Sequence, residues 1–293
     1  MKAIDNLGLQ TISNIIVESI STSSIYCFGE KNQMQARYNP FKEFVSDHKE
    51  NTHYYLMVLT DEYIINAVAD ISDSIKTKTE GRYTVTLLIF KAKYGHSLPP
   101  NQMYFYHQVL TKGYKVYERE NIPIIISIDE SPKRKIDSVR SYWKNRNIVA
   151  ETFLTNMNQI DYSNTAFVQE SMMHVAVEQI CLGLINVFLD YHPDHFSMAY
   201  LFDICEIFTP LTSDIFPRTT SGDIKLFNLL KTHPSSLRWA NLKKACLTDT
   251  EVLEKRCSLF HERARQLVEE ELQRIEKLYN DEAQKNESCI TIS

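Results

Sequence analysis

The sequence predicts an α/β unit followed by an all-helical unit, and three observations carry that prediction. Over the first 130 residues, short apolar runs of strand type alternate with stretches of helical spacing, the pattern of a sheet with helices packed on it. Beyond residue 131 no convincing strand pattern recurs. Between the two lies Asp129-Glu-Ser-Pro-Lys-Arg-Lys135, a charged run with a proline that breaks both periods. The predicted domains are residues 1–130 and 131–285, with a frayed tail over 286–293.

In the first unit, Ile12, Ile15, Ile16 and Ile20 recur at helical spacing. Ser24-Ile-Tyr-Cys-Phe28 is an apolar run ending at Gly29, hence a buried strand. Gly29 to Asn51 is polar without a period and reads as a long loop. Tyr54 to Leu59 is a second buried strand. Asp61 is placed to cap the next segment, where Ile64, Ile65, Val68 and Ile71 have helical spacing. Tyr83 to Phe90 is long and β-branched, which predicts a central strand. Pro100 opens a helix carrying Met103, Tyr106, His107 and Leu110, and Gly113 ends it. Val116-Tyr117 and Ile122 to Ile128 read as further extended pieces.

In the second unit the expected helices are Ile136–Met157, Tyr162–Leu189, Ser197–Phe208, Gly222–Thr232 and Asp249–Gln284. The helix around His174 is apolar on most sides, which places it centrally in a bundle. Asp194 or Ser197 is positioned to cap the helix that follows it. The last helix carries a drifting apolar stripe from Leu253 to Leu278, with Glu269-Glu-Glu271 on a solvated outer face.

Composition is that of a soluble globular chain: 293 residues, 43% apolar, 24% charged. Only seven glycines occur, which argues against Gly-rich phosphate loops, and the net charge of −5 gives no global pull toward nucleic acid. The six cysteines form no Cys-x-x-Cys pair and most sit in apolar helical patterns, so reduced buried thiols and a cytoplasmic location are expected. The N-terminal segment carries acids within its apolar pattern and is read as a helix, not a leader. No run of eighteen apolar residues occurs, and no membrane span is expected.

The candidate site lies in the helical half. His174 and Glu178 are four apart and share one helix face. A polar pair on a buried helix must be satisfied or must act. It is either a structural hydrogen-bond pair or the wall of a polar ligand pocket. The His-x-x-x-Glu spacing suits a metal-ligand pair, but the sequence places no third ligand, so no metal site and no cofactor are assigned. His195 stands before an apolar helix. Arg238 stands beside Trp239, where a stacked pair would bind a phosphate or base, or fix the last helix.

These motifs, in this order, resemble the HEPN family. The resemblance runs from Ala150–Met157 through Met172-Met-His174-Val-Ala-Val-Glu178 and Tyr191-His-Pro193-Asp-His195. It continues in Phe216-Pro-Arg218-Thr and Leu226-Phe-Asn-Leu-Leu230, and ends at Leu237-Arg238-Trp239. It implies a helical bundle tied to nucleotide or RNA biology, a homodimer, and His174, Glu178, His195 and Arg238 converging in one pocket. HEPN ribonucleases carry an Arg followed by four to six residues and a His. No His follows Arg238 in that range, while Arg256 and His261 fit the spacing within one long helix. Five residues along a helix, however, turn the two side chains about 140° apart.

The first unit resembles a nucleotidyltransferase-like domain on Ile25-Tyr-Cys-Phe-Gly29, the strands Tyr54–Leu59 and Tyr83–Phe90, and Asn101 through Tyr117. That family needs paired carboxylates on adjacent strands to hold Mg²⁺. Here Glu30 follows Gly29 where a Ser is expected, Tyr54, Tyr55 and Leu56 stand near the acidic pair, and Thr84 and Thr86 occupy the third strand. Asp61 and Asp70 lie past the strand. The resemblance therefore implies a catalytically dead domain with no catalytic residues. The expected function is noncatalytic nucleotide or RNA binding. The alternatives are a metal-independent HEPN ribonuclease or toxin, and a dimeric protein–protein adaptor. No membrane partner is expected.

Overall fold

The computed structural model describes residues 6–35, 49–61, 67–91, 102–119, 132–157, 159–160, 162–238 and 247–290. The chain divides into two compact units, Met1–Pro132 and Lys133–Ser293.

The first unit holds helix α1 (Asn6–Ser19), strands β1 (Thr22–Gln35) and β2 (Lys49–Thr60), helix α2 (Ala67–Lys78), strand β3 (Tyr83–Lys91), helix α3 (Met103–Lys112) and strand β4 (Tyr114–Glu118). The sheet order is β3-β2-β1-β4. β1 pairs antiparallel with β2 and with β4, and β2 pairs parallel with β3 across α2. Alternation decides the faces. Ile25 and Cys27 of β1, Tyr54, Leu56 and Val58 of β2, and Val85 and Leu87 of β3 pack with Leu9, Ile12 and Ile16 of α1 and Ile71 and Ile75 of α2. On the other face α3 sets Phe105 against Phe28 at 5.7 Å and Tyr106 against Phe90 at 4.9 Å between ring centres.

Two expectations are corrected here. Among the described residues β3 lies at the edge of the sheet, where a central strand was expected. Its β-branched, apolar character reflects cover on both faces, by α2 and by the aromatic residues of α3, which mimics the signature of a strand with two neighbours. The loop expected from Gly29 to Asn51 is in part strand: β1 runs on to Gln35 and β2 begins at Lys49. Beyond Lys31 the described pairing is with β2, and the sequence there, Asn32-Gln-Met-Gln35, carries no apolar alternation from which a strand could be read. Gly29 does not end the strand. It follows a register shift and faces Tyr55, whose Cδ2 would lie 2.8 Å from any Cβ placed there. The extended piece expected over Ile122 to Ile128, and the residues 62–66 at the start of the second helix, lie outside the described residues.

The second unit is helical: α4 (Ile136–Met157), α5 (Tyr162–Leu189), α6 (Met198–Cys205), α7 (Leu211–Ile215), α8 (Ser221–Leu230), a 3-10 turn (Pro234–Arg238) and α9 (Leu247–Ile290). α5 is its axis, packed by α4, α6, α8, α9 and the 3-10 turn. Phe202, Phe216, Phe227 and Phe260 form one aromatic cluster in its core. Ser197 caps α6, accepting from the Tyr200 amide, and Thr220 caps α8, accepting from the Asp223 amide. The short α7 and the 3-10 turn were not expected, because five residues are too few to show a period. α9 reaches Ile290, past Asn286 where fraying was expected; from Asp249 onward its sequence contains no Gly or Pro to stop it.

The segment Ala166–Leu189 of α5 is long and apolar enough to cross a membrane by length and composition, yet 67% of its apolar window is buried within the protein. A core helix of a folded bundle passes the same test. Among the described cysteines, Cys27, Cys181, Cys205 and Cys257 are free and buried.

Candidate functional site

α5 carries His174 and Glu178 one turn apart, at the end of α8. The His174 side chain is 2% exposed and that of Glu178 18%. Nδ1 of His174 lies 2.8 Å from the Leu230 carbonyl oxygen. A carbonyl only accepts, so Nδ1 carries the proton and donates it. Nε2 faces Oε2 of Glu178 at 3.7 Å, beyond hydrogen-bond length, and has no hydrogen-bond partner among the described residues. The other carboxylate oxygen, Oε1, accepts from the Gln179 side-chain amide at 3.2 Å. The His233 ring stands edge-on to His174, 5.4 Å between centres. The sequence does not reveal His233 as a neighbour, because the 3-10 turn brings it there.

The remaining predicted residues do not join this group within the described contacts. His195 contacts Ser197 at 3.1 Å and the Tyr200 ring at 4.9 Å, at the start of α6, and shares no partner with His174. Arg238 closes the 3-10 turn that packs on α5, with its side chain outside the described ones, and Trp239 lies outside the described residues. Of the expected four-residue pocket, the described side chains bring His174 and Glu178 together, add His233 and set His195 apart.

Arg256 and His261 are parted by the turn of α9. Arg256 pairs with Asp223 of α8 at 2.9 Å, while His261 bonds Asn147 of α4 at 2.8 Å. They face different helices, as a five-residue offset requires, so they do not meet at one phosphate.

His261 instead opens onto a cleft of about 820 Å³ between α4 and α9. Arg140 and Lys144 enter from α4, Arg265 from α9, and Trp143 and Leu272 form part of the apolar wall. Arg140 is held by Glu276. No ion pair joins Lys144 or Arg265 among the described residues. Glu262, Glu269 and Glu270 also line the cleft, and Glu269 accepts from Gln273. Burial, and then the charge of Arg265, hold the His261 ring below the ordinary histidine range, against Glu151. The oxygen Oδ1 of Asn147 accepts from Nε2–H, so Nδ1 is the free lone pair. The arrangement is an imidazole biased toward its neutral form in a cleft that sets Arg140, Lys144 and Arg265 beside Glu262, Glu269 and Glu270. Spacing would have exposed His261 and Arg265 as an i,i+4 pair, but only packing brings α4 opposite them.

In the first unit, the residues expected to stand near an acidic pair fall on both faces of β2: Tyr55 lies beside Phe28 and His53. Tyr54 and Leu56 belong to the core under α1 and α2. On the other face Thr84 and Thr86 engage both ring nitrogens of His53, at 2.8 and 2.9 Å. Asp61 is bound by Ser23 at 2.6 Å and by Arg119 at 2.7 Å. These bonds, Ser23 foremost, hold its carboxyl below the usual range. Among the described residues no cluster of three or more His, Cys, Asp or Glu side chains is placed to hold a metal ion.

No protein-family model matches the chain, and no curated protein does. Among solved structures, the nucleotidyltransferase-like protein from Exiguobacterium sibiricum 255-15 aligns over 88% of this chain and 74% of its own. The identity is 10% and the TM-score 0.23, a likeness too slight to carry an argument about activity. The protein itself is a mixed α/β unit followed by a helical unit.

Proposed function

We propose that the protein is a noncatalytic nucleotide- or RNA-binding protein, with a degenerate nucleotidyltransferase-like first unit and a HEPN-like second unit. The observation that supports this most is the α4–α9 cleft. Its size suits a nucleotide, and Lys144 and Arg265 present two cations to it with no partner among the described residues. A phosphate there would gain both charges, while Trp143 and Leu272 offer apolar surface beside it. Glu262, Glu269 and Glu270 line the same cleft and oppose an anion, so binding there rests on Lys144 and Arg265 outweighing them. The inward-turned Tyr54 and Leu56 support the noncatalytic half of the reading, since the sheet offers no acids at those positions to hold Mg²⁺. The separate partners of Arg256 and His261 weigh against the ribonuclease alternative.

The test is fluorescence anisotropy with a labelled single-stranded oligoribonucleotide and a labelled ATP analogue, across a salt series. The wild type should bind at low salt. The double substitution Lys144→Ala, Arg265→Ala should weaken binding and flatten the dependence of log K on log salt by about 1 for each cation removed. Equal affinity in the double variant removes the cleft as the site. Incubation with Mg²⁺ or Mn²⁺ and labelled nucleoside triphosphates should yield no transfer product; a product would overturn the noncatalytic reading.

A further inference from the structure

With a neutral imidazole, His174 and Glu178 face each other as two acceptors with no proton between them. Nδ1–H is committed to the Leu230 carbonyl at 2.8 Å, which leaves Nε2 as a lone pair. That lone pair belongs to a side chain 2% exposed, has no hydrogen-bond partner among the described residues, and looks at a carboxylate oxygen 3.7 Å away. In a nearly dry setting two such atoms repel unless something positive lies between them.

We propose that His174 Nε2 and Glu178 Oε2 are the protein's ligands to a divalent transition-metal ion of the zinc class. The distance agrees. Zinc bonds of about 2.0–2.1 Å at a tetrahedral angle put two ligand atoms roughly 3.4 Å apart, so the 3.7 Å separation needs only a slight rotation of either side chain. The supporting hydrogen bonds agree as well. A metal-bound histidine donates its other ring N–H to a carbonyl or carboxylate, and Leu230 supplies that carbonyl. A ligating carboxylate is itself held, and the Gln179 amide holds Oε1 at 3.2 Å while leaving Oε2 turned to the imidazole. Imidazole nitrogen selects a transition ion over Mg²⁺ or Ca²⁺.

His233 has a different part. Its Nδ1 accepts from the Ser235 amide at 3.1 Å, so Nε2 carries the proton and the ring is not a ligand. It stands edge-on to His174 and would donate to a water or anion held by the ion. Two protein ligands leave the remaining positions to solvent or to a bound molecule, the form of an open site rather than a closed structural one.

The experiment uses full-length, untagged, metal-stripped protein titrated with Co²⁺, whose visible absorption reports coordination, followed by displacement with Zn²⁺. One equivalent should bind and produce a visible band that Zn²⁺ abolishes. Zn²⁺ at about a hundredfold excess over its Kd should raise the melting temperature of the helical unit by roughly 5–10 °C. Glu178→Gln keeps the side-chain shape and should lose at least about tenfold in affinity. His174→Gln also removes the bond to Leu230 and tests folding as much as binding, so Glu178→Gln decides. Absence of the cobalt band together with no Zn²⁺-induced stabilisation overturns the proposal, as does a Glu178→Gln protein that binds cobalt as the wild type does. A His174 ring found protonated on both nitrogens near neutral pH, without metal uptake, would show that a proton fills the place instead.

Discussion

His261 is the residue whose environment most sharply departs from what its sequence neighbours suggest. It lies in a helix of charged residues, yet burial and Arg265 hold its ring below the ordinary histidine range. In the unfolded chain the ring titrates near about 6.5. Below that value, and down to the lower folded value, the unfolded state binds more protons, so stability is lost as pH falls through this window. His261→Gln removes that term while keeping a donor for Asn147. Urea melts should show the wild type ahead of the variant at about pH 7.5 and the gap shrinking toward about pH 5.5. A gap constant across that range would mean the ring does not titrate as the packing requires. Arg134 carries a related lesson. It sits in the charged run read as the domain boundary, yet it is buried and donates to the carbonyls of Asn186 and Val187, at 2.8 and 2.7 Å, near the C-terminus of α5. Neighbouring charges in the sequence could not separate this one from the rest.

At the scale of elements, α4 and α5 approach closely because Gly183 has no side chain. A Cβ there would lie 2.5 Å from Trp143 Cε3 and 2.8 Å from Cζ3, and Trp143, though it borders the α4–α9 cleft, is itself buried. Gly183→Ala gains up to about 1 kcal/mol of helix propensity but overpacks the contact at a cost of about 1–3 kcal/mol. The overpacking wins, and calorimetry should show a melting temperature lower by a few degrees. An unchanged or raised melting temperature would show that Trp143 relocates freely. α4 and α5 were legible end to end, since long apolar periods leave little freedom in their bounds. The outer hairpin of β1 and β2 was not, since Asn32-Gln-Met-Gln35 and Lys49-Glu-Asn51 carry no apolar alternation for a pattern to record.

For the whole molecule, we propose that the chain pairs with a second copy through the helical unit. Val252 and Leu259 are exposed on α9 one heptad apart, hence on one face, and Ile224 is exposed on α8 beside the Asp223–Arg256 pair. Light scattering at micromolar protein should report a dimer, and Leu259→Lys a monomer. A wild-type monomer would remove the proposal. The sequence by itself determined the passage from α/β to helical architecture and the spans of the long helices, because those follow from local period and composition. It also put His174 and Glu178 on one face, which helical geometry alone requires. Tertiary packing alone shows that β3 lies at the edge of the described sheet, that Tyr54 and Leu56 point into the core, that Leu230 takes the Nδ1 proton of His174, and that Lys144 stands across from Arg265. Each of these depends on which element packs against which, and contacts between residues distant in sequence leave no period to read.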